Sequence, residues 1–218
     1  MTNSKPADKE KKYLSADERE KLIVDTAIMF VSKKGFKFTT RELAESIGMT
    51  QPLLYRYFKN KQKLIDRIFD EVFLRRWNPD WEVLIRNREI PLRERLKRYL
   101  TDYTKSILDE EWIRVFLVSA FDDPIISQKY IAILHEKIFS VLIEEIATEN
   151  GLKLSQHPDK KNLATELIWG FHSSFFYLGV RKYIYRLPIP KNIEAIVDMR
   201  VDVFLDGAIA NIHHLTDQ

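Results

Sequence analysis

A chain of 218 residues with 45% apolar and 31% charged side chains has room for one large domain or a small one joined to a larger one, and its composition excludes a disordered protein. There is no cysteine, which excludes disulfides, thiolate metal sites and cysteine nucleophiles and suits a reducing, cytoplasmic setting. The net charge of +3 is uneven: residues 1–70 hold 15 Lys and Arg against 10 Asp and Glu, and the remainder is slightly acidic, so a polyanionic partner is expected at the front of the chain.

Residues 1–13 are polar, with no apolar segment for a secretory signal, and are expected to form a mobile tail. Ser15 with Glu18 makes a capping box, and Leu22, Ile23, Ala27, Phe30 and Val31 form the apolar stripe of a first helix ending at Gly35. Thr39 with Glu42 repeats the box, Leu43, Ala44 and Ile47 face inward, and Gly48 stops the second helix. Thr50 caps a third helix with Pro52 in its first turn. Asn60 caps a fourth, carrying Leu64, Ile65, Ile68, Phe69, Val72 and Phe73 and expected to end at Asn78-Pro79. Further helices are read at about 91–109, 111–121, 125–149, 160–186 and 192–214, with breaks at Asp122-Asp123-Pro124, Asn150-Gly151, and Pro188 with Pro190. No segment alternates long enough to be a strand, so the fold class is all-α with about nine helices. No run of about 18 uncharged apolar residues is present, so no membrane partner is expected.

The stretch TTRELAESIGMTQPLLYRYFKNK, from Thr39 to Lys61, carries the chemistry. Two short helices joined by a glycine turn follow the helix-turn-helix plan, with Ala44 small where the helices approach and Leu54 facing the core. The N-terminal residues of a recognition helix meet base edges. Gln51 suits adenine, Pro52 and Leu53 suit a thymine methyl, and Arg41 suits guanine. Thr40, Thr50, Tyr55, Tyr57 and Lys61 suit phosphate oxygens, Lys61 at the start of a helix whose dipole also favours an anion. Any one of these residues would fit a plain helical hairpin with a basic rim; their joint spacing points to DNA.

Over about residues 15–72 the chain resembles the TetR family of bacterial transcription regulators: Thr-Thr-Arg opens helix two, a glycine precedes the recognition helix, and Leu-Tyr-x-x-Phe-x-x-Lys comes next. The resemblance implies a three-helix DNA-binding domain over 14–60 and a larger helical domain over 61–218 that binds a small molecule and dimerises. It also implies a repressor, double-stranded operator DNA with an inverted repeat, and no cofactor. Beyond the first domain the likeness is one of size and helical plan only.

Two late segments suit a dimer. Residues 163–185 are apolar on nearly all sides, with Gly170, Ser173, Ser174 and Gly179 permitting close approach. Ile193, Ile196, Val197, Val201, Phe204, Leu205, Ala208, Ile209 and Ile212 mark the last helix. A homodimer through about 160–186 and 192–214 is expected, since paired half-sites want a two-fold partner; the bland reading is two core helices. A ligand region is expected around Tyr103, Trp112, Phe116, Trp169, His172 and Phe176, against the reading of His172 as an ordinary hydrogen-bonded core residue. His135, His157, His213 and His214 lie apart, no metal or catalytic motif occurs, and Glu110-Glu111 and Glu144-Glu145 read as solvated helix faces. The alternative to a ligand-responsive regulator is a DNA-bound protein whose C-terminal domain holds a protein partner.

Overall fold

The computed structural model describes residues 14–122, 124–151, 153 and 158–211, and every regular element among them is a helix, with no strand. The expected tail, His157, His213, His214 and the side chains of Ala208, Ile209 and Ile212 lie outside the described residues.

Four helices open the chain: α1 (Ala16–Lys34), α2 (Thr40–Ser46), α3 (Gln51–Tyr57) and α4 (Lys61–Val72). Both expected capping boxes form, Ser15 N–H donating to Glu18 at 2.8 Å and Thr39 N–H to Glu42 at 2.7 Å. The inward face of α1 is Ile23, Val24, Ala27, Ile28 and Val31, whereas Leu22 is exposed. Ile23, Ala27 and Val31 of the expected stripe are buried and Phe30 packs against the core, while Val24 and Ile28 fill the inward face that Leu22 leaves. The fourth helix stops at Val72, short of Asn78-Pro79, because a 3₁₀ turn over Leu74–Arg76 bends the chain once Phe73 has entered the core.

A short helix that the sequence pattern does not announce, α5 (Asp80–Arg86), comes next; it buries Trp81 and Ile85, and the Trp81 indole donates to Asp102 at 2.7 Å. Then come α6 (Leu92–Ile107), α7 (Glu110–Asp122), α8 (Ile125–Leu134), α9 (Ser140–Glu149), α10 (Pro158–Gly179) and α11 (Ile193–Asn211). The expected single helix over 125–149 is present as α8 and α9 joined by a π turn at His135–Phe139, and a second π turn at Val180–Ile184 extends α10.

One apolar core runs through the described residues, and α7 packs against both α1 and the Gly35–Lys37 turn. Gly179 belongs to this intrachain packing: a Cβ there would lie 2.4 Å from Ile113 Cδ1, so α10 and α7 approach through it. Gly170, by contrast, faces open space. Between α6 and α11 runs a row of ion pairs, Arg93 with Asp202 and Asp206, and Lys97 with Asp198 and Asp202.

Glu145 corrects the reading of a solvated face. It is 2% exposed and receives Arg95 at 2.8 Å and both nitrogens of an Arg88 fork at 2.9 and 3.1 Å. Arg95 is itself buried, so the three groups tie α6, α9 and the chain after α5 into one hydrogen-bonded ion cluster. Glu144 is exposed as expected and meets Arg86 at 3.0 Å.

Candidate nucleic-acid interface and ligand cavity

The α2–α3 pair is held by backbone geometry and by a few buried side chains. Gly48 sits at φ 68°, in the left-handed region, so the chain can reverse there and the Met49 N–H can reach Ala44 O at 2.9 Å. Leu43, Ala44 and Leu54 are at most 1% exposed; α2 packs on α1, and α3 packs on α2. Helices of two turns are marginal alone, and this packing makes up the difference.

Thr40 is the hub of the outer face. Its hydroxyl accepts from Gln51 Nε2 at 2.8 Å and lies 3.1 Å from the Tyr55 hydroxyl. Thr40 is nearly covered, so its role here is to orient Gln51 and Tyr55 rather than to stand free. Gln51 keeps its second amide hydrogen and its carbonyl, the pair an adenine edge needs. Tyr55 is 41% exposed and Pro52 is exposed beside it, while Leu53 and Tyr57 are half-buried. Thr50 spends its hydroxyl on the α3 N-cap, accepting from Leu53 N. Arg41 is exposed and paired with Glu45 at 2.9 Å, an exposed pair that costs little to open.

Lys61 is placed differently from the expectation. Its ammonium donates to the carbonyls of Phe36 and Phe38 and sits 4.6 Å from the Phe38 ring centroid. Desolvation holds its pKa below the ordinary lysine value, with Asp122 and Glu42 acting the other way. What it presents outward is the N-terminus of α4, where Asn60 caps Lys63 N at 2.9 Å. Lys37, Arg56 and Lys59 are exposed cations on or near these elements that the sequence motif does not single out.

Asp122 joins this unit to the rest of the chain. At the end of α7 it accepts the Phe36 N–H at 2.9 Å and faces Lys37 at 3.5 Å. The expectation of a bare helix stop at Asp122 missed this contact, since its partner lies 86 residues away.

The six residues proposed for a ligand region, Tyr103, Trp112, Phe116, Trp169, His172 and Phe176, line one cavity of about 230 Å³. Tyr130, Ile131, Leu134, Phe139 and Ser173 complete it. Tyr103, Trp112, Tyr130, Phe139 and His172 form the buried floor, while Trp169 and Ser173 are exposed at the rim. The Trp112 and Phe116 rings stack within 6° of parallel at 5.2 Å, with Phe176 turned across both. His172 Nε2 and the Tyr99 hydroxyl are 2.8 Å apart, so His172 is both a hydrogen-bonded core residue and part of the cavity wall. Burial pushes its pKa down to about 3, which keeps the ring neutral. The same helix α7 therefore lines the cavity with Trp112 and Phe116 and holds the Gly35–Lys37 turn with Asp122.

A second, outward-facing groove of about 510 Å³ runs between α10 and α11, with Leu167, Gly170, Met199, Val203 and Phe204 among its walls. Met199 and Val203 are 59% and 70% exposed. Among the described residues, no group of three or more His, Asp or Glu is placed to hold a metal ion, and no helix is long and apolar enough to cross a membrane.

Residues 23–68 match the sequence model of a family described as bacterial regulatory proteins, tetR family. The segment that holds α2 and α3 thus carries that family's sequence pattern. Tetracycline repressor protein class D of Escherichia coli is 32% identical over 85 residues, a match covering 35% of this chain and 39% of that protein. An uncharacterized HTH-type transcriptional regulator of Bacillus subtilis, YvkB, is 36% identical over 52 residues, or 23% of this chain and 28% of that one. The chain thus spans well under half the length of the curated relatives it matches. Over the whole fold it resembles a TetR-like regulator from Rhodococcus sp. RHA1, with TM-score 0.59, 15% identity and coverage of 92% of this chain and 99% of that one. A TetR family regulator from Marinobacter aquaeolei VT8 also gives TM-score 0.59, at 17% identity, covering 93% of this chain and 97% of that one. At such identities the likeness is one of fold: the long helical body is built as in solved TetR-family structures.

Proposed function

We propose that this protein is a dimeric transcriptional repressor, not an enzyme, that binds an inverted-repeat operator and leaves it when a small, largely apolar molecule enters the α6–α7–α8–α10 cavity. Residues 14–60 act as the reading unit and 61–218 as the sensing and dimerising unit. Arg41, Gln51, Pro52 and Leu53 face bases; Tyr55, Tyr57, Thr50 and the backbone N–H groups of the α4 N-terminus face phosphates, Lys61 bracing that end through the Phe36 and Phe38 carbonyls, and Thr40 holds Gln51 and Tyr55 in place. The observation that carries this reading is the Gln51–Thr40–Tyr55 cluster on a capped, glycine-turned helix pair.

The two-fold partner fits the outer groove of α10 and α11, where Leu167, Met199 and Val203 leave an apolar face uncovered. The cavity favours a small-molecule effector over the alternative of a protein partner at the C-terminal domain. Release works by population shift: a ligand that prefers a dimer whose recognition helices are set apart from the roughly 34 Å spacing of successive major grooves draws the protein off DNA. Because α7 touches both cavity and turn, it is the element through which the two sites bias one another.

The test is footprinting of the purified protein on DNA upstream of its own gene at two salt concentrations, with Arg41→Ala and Tyr55→Phe alongside. A protected inverted repeat, weakened by salt and by both substitutions, supports the reading. Variants that bind such an operator as tightly as the parent would refute the assignment of those residues.

A further inference from the structure

The cavity's chemistry narrows what it can hold. Its walls carry seven aromatic side chains, with Ile131 and Leu134 among the rest, and no Asp, Glu, Lys or Arg. We propose that its ligand is an uncharged, flat aromatic compound of one to two fused rings bearing a single hydrogen-bonding group. This rests on the reading of the cavity as the regulator's ligand site and sharpens it.

Three observations carry the inference. The first is size. A dry apolar cavity of about 150 Å³ accommodates one benzene, so about 230 Å³ accommodates a fused pair of rings and little more.

The second is charge. A buried ion without a counter-ion pays a large desolvation cost. Stacking a cation on ring faces returns part of it, but no carboxylate lines the wall to return the rest. An anion fares worse, because the ring faces are electron-rich and His172 is held neutral by its buried setting.

The third is shape and polarity. The near-parallel Trp112 and Phe116 rings, crossed by Phe176, offer a planar molecule both stacking and edge contacts. The polar groups of the wall are few, and two of them are already engaged: His172 with Tyr99, and Ser173 Oγ donating to Gly170 O at 3.2 Å. A ligand with several polar groups would leave most of them unpaired, whereas one group can share a hydroxyl at the Ser173 rim.

Three probes with the same ring pair separate the possibilities: 2-naphthol, 2-naphthoate and 2-naphthyltrimethylammonium, titrated into the full chain at neutral pH. Binding is read by quenching of tryptophan fluorescence and by the melting temperature. Operator binding is followed in parallel. The expected result is that 2-naphthol binds at least tenfold more tightly than either ion. Ser173→Trp, which fills the rim without removing a core side chain, abolishes that binding. Phe116→Ala serves as a second variant that enlarges the cavity and weakens the naphthol contact. Either ion binding as tightly as 2-naphthol overturns the proposal; if that ion also releases operator, the reading of the cavity as effector site survives. No binding by any probe overturns the proposal and the cavity reading together. Naphthol binding unchanged in Ser173→Trp overturns it by placing the compound elsewhere. Naphthol binding that Ser173→Trp abolishes but that leaves operator affinity unchanged supports the ligand class and removes the release mechanism instead.

Discussion

Replacing Gly35 by alanine tests how the N-terminal helices are fastened to the rest of the chain. Gly35 sits at φ 75°, ψ −166°, a region open essentially to glycine alone, and forcing another residue there costs about 1–3 kcal/mol. An added Cβ would lie 2.0 Å from Asp122 Oδ2 and 3.1 Å from Val118 Cγ1, so the Asp122 carboxylate must leave its place. In leaving it gives up the Phe36 N–H, a hydrogen bond to a charged group worth about 1.5–3 kcal/mol. Strain and lost bond together predict a destabilisation of about 3–5 kcal/mol, read by urea unfolding of Gly35→Ala against the parent. Asp122→Ala removes the bond and the clash in one step. The double variant should then cost only the strain more than Asp122→Ala alone, so the two changes are less than additive. A Gly35→Ala cost below about 1 kcal/mol, or strict additivity, would refute both the strain and the contact on which the reasoning rests.

Three further outcomes are expected. Glu145→Ala leaves the buried Arg95 with only the exposed Glu149 at 3.5 Å as a counter-ion and should remove about 3 kcal/mol in urea unfolding, with much of that recovered by also changing Arg95 to Met. The hydrogen bonds from Arg88 and Arg95 hold the Glu145 carboxyl below its ordinary 4.5, so this stabilisation is complete above that value and is lost as pH falls through the folded pKa. His172 adds a loss of the same sign at higher pH: its folded pKa of about 3 lies below the ordinary 6.5, so the unfolded chain takes up the proton first and stability falls as pH drops below 6.5. Between pH 7.5 and 5.5 the parent should therefore lose about 1.4 kcal/mol more than His172→Phe, and equal losses would show that the ring is not buried neutral. Val203→Glu, on the exposed groove of α10 and α11, should convert a dimer to a folded monomer in sedimentation and weaken operator binding, whereas an unchanged dimer would move the interface elsewhere.

Local signals in the sequence carried well where the physics is local. Ser15 with Glu18, Thr39 with Glu42, and Thr50 and Asn60 each cap the next helix, because a cap depends on residues three positions apart. The cavity was legible as a set of aromatics because large rings clustering on amphipathic helices are hard to place elsewhere, although Tyr130 needed the fold to bring it in. The hidden features depend on distant partners. Glu145 next to Glu144 reads as a solvated pair until Arg95, fifty positions earlier, is seen to lie against it. Lys61 reads as a phosphate ligand until the carbonyls of Phe36 and Phe38 are seen to claim its ammonium. The Asp80–Arg86 helix, at under two turns, is too short for its period to register, and only the burial of Trp81 and Ile85 reveals why it forms.

The π turn at His135–Phe139 sets the phase of the helix beyond it. Each extra residue in a helical run rotates the later part by about 100° relative to the earlier part. Leu134 and Phe139, five positions apart, both reach the cavity across this turn, and Glu145, farther along the same rod, reaches Arg95. Deleting one residue from the turn would restore an ordinary helix and swing Glu145 off Arg95 while Tyr130 stayed in the cavity wall. The cavity and the buried charge cluster are thus cut on one thread. Single substitutions can reshape the cavity, but a change in helix length there would sacrifice the ion cluster.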